Sequence, residues 1–304
     1  MNEERATDSA KHGGEELSHE VPRVVWRSRP QRGRRAAGVR GAPQDGPAWR
    51  PWQGFAAFVC AIFMTLALAG MLAALLGIDS GHDETLAFRV LATLVQAVVF
   101  AVSAVAFASL SGSVRARDLG FRGGPVGRVA AAVALAAVAY YTAVIAYSLL
   151  VKPDIEQTVA RDLGADDGVG GLVAAAILIV AVAPVAEELF FRGFFYRALR
   201  GRLAVLLAAA VDGVVFGFLH WDFQSADQLL IVPPLALFGF LLCLLYERTG
   251  TLFAPIALHA FNNTLALSGQ AAHDAVTLAV GAAMLALCAA SVRTLPMLQR
   301  SSSG

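Results

Sequence analysis

The chain has 304 residues, of which 57% are hydrophobic and 15% charged; a soluble domain carries roughly 45–50% apolar and about 25% charged residues, so a water-soluble globule is excluded. The formal charge of +1 carries little information here, because the distribution of Lys and Arg between loops matters more than their sum. Cys60, Cys243 and Cys288 lie inside apolar runs without CxxC or CxxH spacing, which argues against a disulfide framework or a thiolate metal site and marks them as packing residues.

Residues 1–52 are polar and rich in Gly, Pro and charge. They have too little apolar surface to fold alone and are expected to form a disordered tail. Without an apolar h-region the tail does not read as a secretory signal peptide. Its arginines, Arg23 to Arg50, lie just before a hydrophobic run and mark a cytoplasmic face more simply than a nucleic-acid site, so no nucleic-acid partner is expected.

Apolar runs follow at 53–77, 86–111, 126–150, 169–191, 203–219, 229–246, 252–267 and 275–292. The fold expected from them is all-α, a polytopic bundle of about eight transmembrane helices over 53–304. The connections alternate in charge. Asp79, Asp83 and Glu84 follow the first run, and Arg115, Arg117, Arg122 and Arg128 the second. Five acids between Asp154 and Asp167 follow the third run, and Arg197, Arg200 and Arg202 the fourth. Asp222 and Asp227, then Arg248, then Asp274, then Arg293 and Arg300 complete the series. Under the positive-inside rule this predicts a multi-pass cell-membrane protein with both termini cytoplasmic.

Polar groups where hydrocarbon is expected begin in the fourth run, which ends Glu187-Glu188-Leu189-Phe190-Phe191-Arg192. An intramembrane acid is a functional-site hypothesis by default. At helical spacing Glu188 and Arg192 are i,i+4 neighbours and can pair, while Glu187 points about 100° away and stays free. The fifth run carries Asp212, read as a buried hydrogen-bonding partner, and ends at His220; the seventh carries His259 and Asn263 on one face. A single membrane histidine is more often interfacial than catalytic, and a His/Asn pair on one face serves equally well as interhelical glue. Convergence of these groups on separate helices favours chemistry.

Depth tests that convergence. At about 1.5 Å per residue, Glu187 lies about 20 Å from the level of Arg200, and His259 and Asn263 lie about 14 and 20 Å from that of Gly250. His220 comes out about 30 Å from Arg200, so it meets Glu187 only if the fifth helix is tilted or broken, with Gly213 and Gly217 as places to bend. The chemistry such a group supports is hydrolysis, with a carboxylate as general base, a histidine orienting the water, and amide or imidazole donors at the oxyanion. Glu187, His220 and His259 are also ligand types that zinc accepts with an open fourth position, and whether a metal is used stays open.

The spaced residues Glu187-Glu188-x-x-x-Arg192, Phe216-x-x-x-His220 and His259-x-x-x-Asn263, in this order on successive runs, closely resemble the motifs of the CPBP family, the CAAX prenyl protease and bacteriocin-processing intramembrane endopeptidases also called Abi proteins. The turn Tyr246-Glu247-Arg248-Thr249-Gly250 is similar to that family as well, and the likeness covers about 169–267. The resemblance implies a site open toward the cytoplasm that cleaves a membrane-associated protein or peptide near its terminus, in contact with membrane lipid. It implies that Glu187 and His220 activate water, that His259 and Asn263 stabilise the oxyanion, and that Glu188 with Arg192 supports them or forms part of the acid. Both a zinc-dependent and a metal-free glutamate mechanism fit it. The competing readings are an inactive scaffold or self-immunity protein that keeps the cluster for helix packing, and a proton-coupled transporter. The latter is disfavoured because no broken-helix inverted repeat is visible.

Overall fold

The computed structural model describes residues 48–78, 85–153, 161, 163–166, 168–221, 227–268 and 274–301. The expected disordered tail up to residue 47 and the acidic connections at 79–84, 154–160 and 222–226 lie outside these residues. Among the described residues every regular element is helical: α1 (Pro51–Leu76), α2 (Leu86–Ser109), α3 (Val126–Val151), α4 (Gly168–Arg200), α5 (Val205–Leu219), α6 (Val232–Thr249), α7 (Phe253–Ser268) and α8 (Asp274–Ser301), with short 3₁₀ turns at Ala116–Leu119 and Asp227–Ile231. The stretches that α1 to α4, α6 and α8 form are long and apolar enough to cross a membrane; α5 and α7 are shorter. The bundle is thus the all-α, roughly eight-helix membrane architecture that the apolar runs predict.

Local chemistry sets the helix ends. Pro51 opens α1, where its missing N–H costs nothing, and Gly77 closes it in the left-handed conformation at φ 65°. Thr85 caps α2 by accepting a hydrogen bond from Phe88 N. Gly250, at φ 69°, ends α6 and gives its N–H to Tyr246 O. Large apolar side chains on the outer helices, such as Phe63 and Leu75 of α1 and Leu150 of α3, are exposed. In a chain of this composition they face lipid, which leaves no penalty for their exposure.

α4 is the axis of the bundle. Phe190 through Tyr196 are all buried, so this helix has no lipid face there. Phe190 packs on Phe100 of α2 at 4.9 Å, Phe191 on Phe216 of α5 at 5.2 Å, and Phe195 on Phe55 of α1 at 5.2 Å. Glu247 pins the end of α6 to the end of α4, accepting from Tyr196 Oη and Arg200 Nη2 at 3.1 Å each.

α5 runs unbroken from Val205 to Leu219, so the break allowed by the sequence does not occur in it. Gly213 and Gly217 serve close approach instead. A Cβ on Gly213 would lie 2.5 Å from Ala236 O, and one on Gly217 would lie 2.8 Å from Val232 O, both on α6. This is small-residue packing at i,i+4, which membrane helices use where apolar burial gives no net drive. The depth of His220 is resolved at the other end of α5. Residues 201–204 are not helical, so the helical rise to His220 starts at Ala204 and comes to about 24 Å, not about 30 Å.

Candidate active site

α4 changes winding on both sides of the acid pair. Ile177–Val182 and Leu189–Phe195 are π-helical and Ala183–Glu188 between them is α-helical. Such single-turn widenings are frequent at functional sites. The first has a visible cause. Ala183 N donates to Leu178 O, five residues back; the next donor in that register is residue 184, which is proline and has none. Ile179 O is therefore left without its intrahelical partner, and Asn263 Nδ2 of α7 donates to it at 2.8 Å. A buried carbonyl without a donor is costly, so this contact both closes the gap and fixes Asn263. Asn263 Oδ1 in turn accepts a long contact of 3.4 Å from Asn262 Nδ2, and Asn262 Oδ1 accepts from Tyr141 Oη of α3 at 3.1 Å. The second amide hydrogen of Asn263 is not used by these contacts.

The acid pair divides as the helical spacing predicts. Arg192 Nη1 donates to Glu188 Oε1 at 2.9 Å, and both side chains are fully buried. Arg192 Nη2 donates to Gly239 O at 2.9 Å and lies 3.4 Å from Asp212 Oδ1, which also accepts from Cys243 Sγ at 3.1 Å. The guanidinium stacks on Phe216, 4.7 Å from the ring centre. Gly239 is required here, because a Cβ would come within 3.1 Å of Arg192 Nη2 and 2.9 Å of Gly213 Cα. A buried charge of this kind is tolerable only when paired and hydrogen-bonded.

His259 joins the two glutamates. Its Nδ1 is 2.8 Å from Glu188 Oε1, the oxygen that also receives Arg192. An ionised carboxylate only accepts, so Nδ1 carries the proton and Nε2 is the basic nitrogen. That Nε2 faces Glu187 Oε2 across 3.9 Å, too far for a direct hydrogen bond. Glu187 Oε2 is buried and has no hydrogen-bond partner among the described residues. Glu187, Glu188, Arg192 and His259 therefore form one cluster.

His220 stands beside this cluster. It caps the end of α5, its Nδ1 2.8 Å from Phe216 O, so Nδ1 donates and Nε2 is left as an acceptor. Its ring is 4.7 Å from that of Phe216, which also neighbours His259 at 5.8 Å and Arg192. Among the described residues no three His, Cys, Asp or Glu side chains converge to hold a metal ion. The trio Glu187, His220 and His259 is thus not assembled as a three-ligand zinc site.

Residues 169–265 match the family model for type II CAAX prenyl endopeptidase, Rce1-like. That stretch is about a third of the chain, and over it the sequence is similar to the CAAX-protease family. At 31% identity over 87 residues, 29% of this chain, it also matches "Putative membrane peptidase YdiL" of Bacillus subtilis (strain 168); the match spans 33% of that protein's length. No solved structure matches the chain significantly. Both similarities are to membrane peptidases, and Glu187, Glu188, Arg192, His220, His259 and Asn263 all lie within the matched stretch.

Sequence reasoning missed several members of the site. Cys243, read as a packing residue, is buried but also donates to Asp212. Tyr141 and Asn262 orient Asn263. The signal for Ile179 was present, since a proline five residues on removes the donor that a π turn would supply.

Proposed function

We propose that the protein is an intramembrane endopeptidase that hydrolyses a peptide bond near the terminus of a membrane-associated protein or peptide, with Glu187 as the base. The observation that carries this reading is the 3.9 Å gap between Glu187 Oε2 and His259 Nε2, with the other imidazole nitrogen tied to Glu188. A water held across that gap donates one hydrogen bond to each acceptor and turns its lone pairs toward a substrate carbonyl. Attack forms the C–O bond, passes the water proton to Glu187, and places negative charge on the carbonyl oxygen. The free amide hydrogen of Asn263 stabilises that oxyanion. Collapse breaks the C–N bond, and Glu187 returns the proton to the leaving amine. His220 Nε2 is a second acceptor for the water or for the amine. Arg192 and Glu188 touch no reacting atom; they hold His259 in the required tautomer.

The Arg-bearing connections at 115–122, 197–202 and 248 support a cytoplasmic placement of that side and of both termini. One contact favours a second reading, in which the polar groups only lock helices together: Asn263 already serves Ile179 O. Terminal proteomics of membranes from cells carrying the wild type or Glu187→Ala separates the two. Peptide termini seen with the wild type should vanish in the variant, whose folding is checked by thermal unfolding. The same termini in a folded Glu187→Ala protein would sink the hydrolase.

A further inference from the structure

A second feature lies away from this cluster. α3 and α8 both pack on α7 but barely touch one another, and the space between them is an apolar cleft of about 450 Å³. α3 lines it with an i, i+3, i+4 ladder from Val126 to Val138; α7 adds Phe253 and Phe261, and α8 the face from Leu285 to Val292. The lining offers no polar surface. The twelve steps from Val126 to Val138 at about 1.5 Å each make the cleft about 18 Å long, close to the roughly 15 Å of hydrocarbon in one leaflet.

Its two ends differ. At the Val126 and Val292 end the backbone turns polar, with Gly124 N donating to Val292 O at 2.9 Å, and the next residue, Arg293, is exposed. Arg128 lies near this end too, but its 100° steps from Val126, Val129 and Ala130 turn it to the far side of α3. At the other end Tyr141 stands one turn beyond Ala137 and its ring meets Phe261 edge-on at 6.3 Å. The cleft is therefore charged at one mouth, apolar throughout and closed by aromatics. A partner helix about 10 Å across would displace several times this volume over the same length.

We propose that this cleft holds one acyl chain of an anionic bilayer phospholipid, with its phosphate at Arg293. The occupant braces the catalytic helix from behind. Phe253, Ala257 and Phe261 face the cleft, while His259 and Asn263, about 200° round α7, face the glutamates.

The test uses the full chain in vesicles of equal phosphatidylglycerol and phosphatidylcholine, with native mass spectrometry of the released protein. The wild type should keep one phospholipid, favouring phosphatidylglycerol about fivefold, which is what one basic residue near the membrane surface contributes. Arg293→Gln should keep a lipid but lose the preference. Ala134→Leu combined with Ala137→Leu should lower retention at least tenfold with elution and helix signal unchanged. Wild-type protein with a phosphatidylglycerol carrying a diazirine in its chain decides the matter even if that variant fails to fold, because adducts should concentrate on α3, α7 and α8. Equal retention in the filled variant, adducts spread evenly over α1 and α2, cross-links to a second copy, or displacement by a farnesylated peptide but not by phosphatidylglycerol would each overturn the assignment.

Discussion

Arg192→Met removes the charge at the centre of the buried network while keeping most of the side chain's bulk. Three groups depend on Arg192: Glu188 at 2.9 Å, Gly239 O at 2.9 Å and Asp212 at 3.4 Å. Breaking a buried pair by deleting one partner costs about 3–5 kcal/mol, because the remaining charge stays uncompensated. Loss of the bond to Gly239 O, a carbonyl that keeps its place in the α6 ladder, adds about 0.5–1.5 kcal/mol. The sum is comparable to the whole stability of an ordinary domain, so partial loss of fold is expected. Adding Asp212→Asn removes one of the stranded acids and should recover about 1–3 kcal/mol, a non-additivity typical of residues in one network. The assay is thermal unfolding of detergent-solubilised protein, where each kcal/mol corresponds to about 2–4 °C. The single variant should melt at least 10 °C below the wild type, a drop of about 3 kcal/mol or more on that scale, and the double variant between them. A single variant as stable as the wild type, or a double variant no better than the single, would mean that Arg192 does not compensate these buried acids.

Asn263→Leu should cost about 1–3 kcal/mol by stranding Ile179 O, and Pro184→Ala should shrink that cost by restoring the missing backbone donor. If Asn263 also serves the oxyanion, cleavage stays lost in the double variant although stability returns, and cleavage assays beside melting curves read both. Gly217→Leu should separate α5 from α6, since its Cβ alone would meet Val232 O at 2.8 Å; melting curves should show a loss of several kcal/mol, as for a severe overpacking. Asp118 lies outside the spans and is 1% exposed, and its carboxyl accepts from Arg115 N at 3.0 Å and Arg115 Nε at 3.3 Å. Burial alone would raise its pKa, but those bonds and the charges of Arg115 and Arg117 hold it below the usual 3.8. A depressed acid stabilises the fold above its unfolded pKa and loses that contribution as pH falls through the folded one. Asp118→Asn should therefore cost about 1–2 kcal/mol at neutral pH and nothing once acid has titrated the wild type below 3.8, which melting curves across pH 2–7 will show.

Much of the site was legible because a membrane span makes every polar group conspicuous. The i,i+4 rule paired Glu188 with Arg192 and left Glu187 apart, as the 2.9 Å contact bears out. A straight helix from Arg200 overstates the rise to His220, because residues 201–204 are not helical, and Gly213 and Gly217 are not hinges, since their missing side chains admit α6. The π turns of α4 were invisible to a 100° periodicity, since each inserts a residue and shifts the face that follows. Contacts such as Tyr141 to Asn262 or Cys243 to Asp212 join residues far apart in sequence. Nothing in the local pattern of either partner announces the other.

In the proposed mechanism Glu187 and His259 act as a unit on one water. The most direct measurement compares cleavage by Glu187→Gln, by His259→Gln and by the double variant, each verified as folded. Residues that act as a unit are strongly non-additive, so the double variant should be no slower than the slower single one. Losses that multiply, or a Glu187→Gln enzyme that cleaves at the wild-type rate, would contradict it.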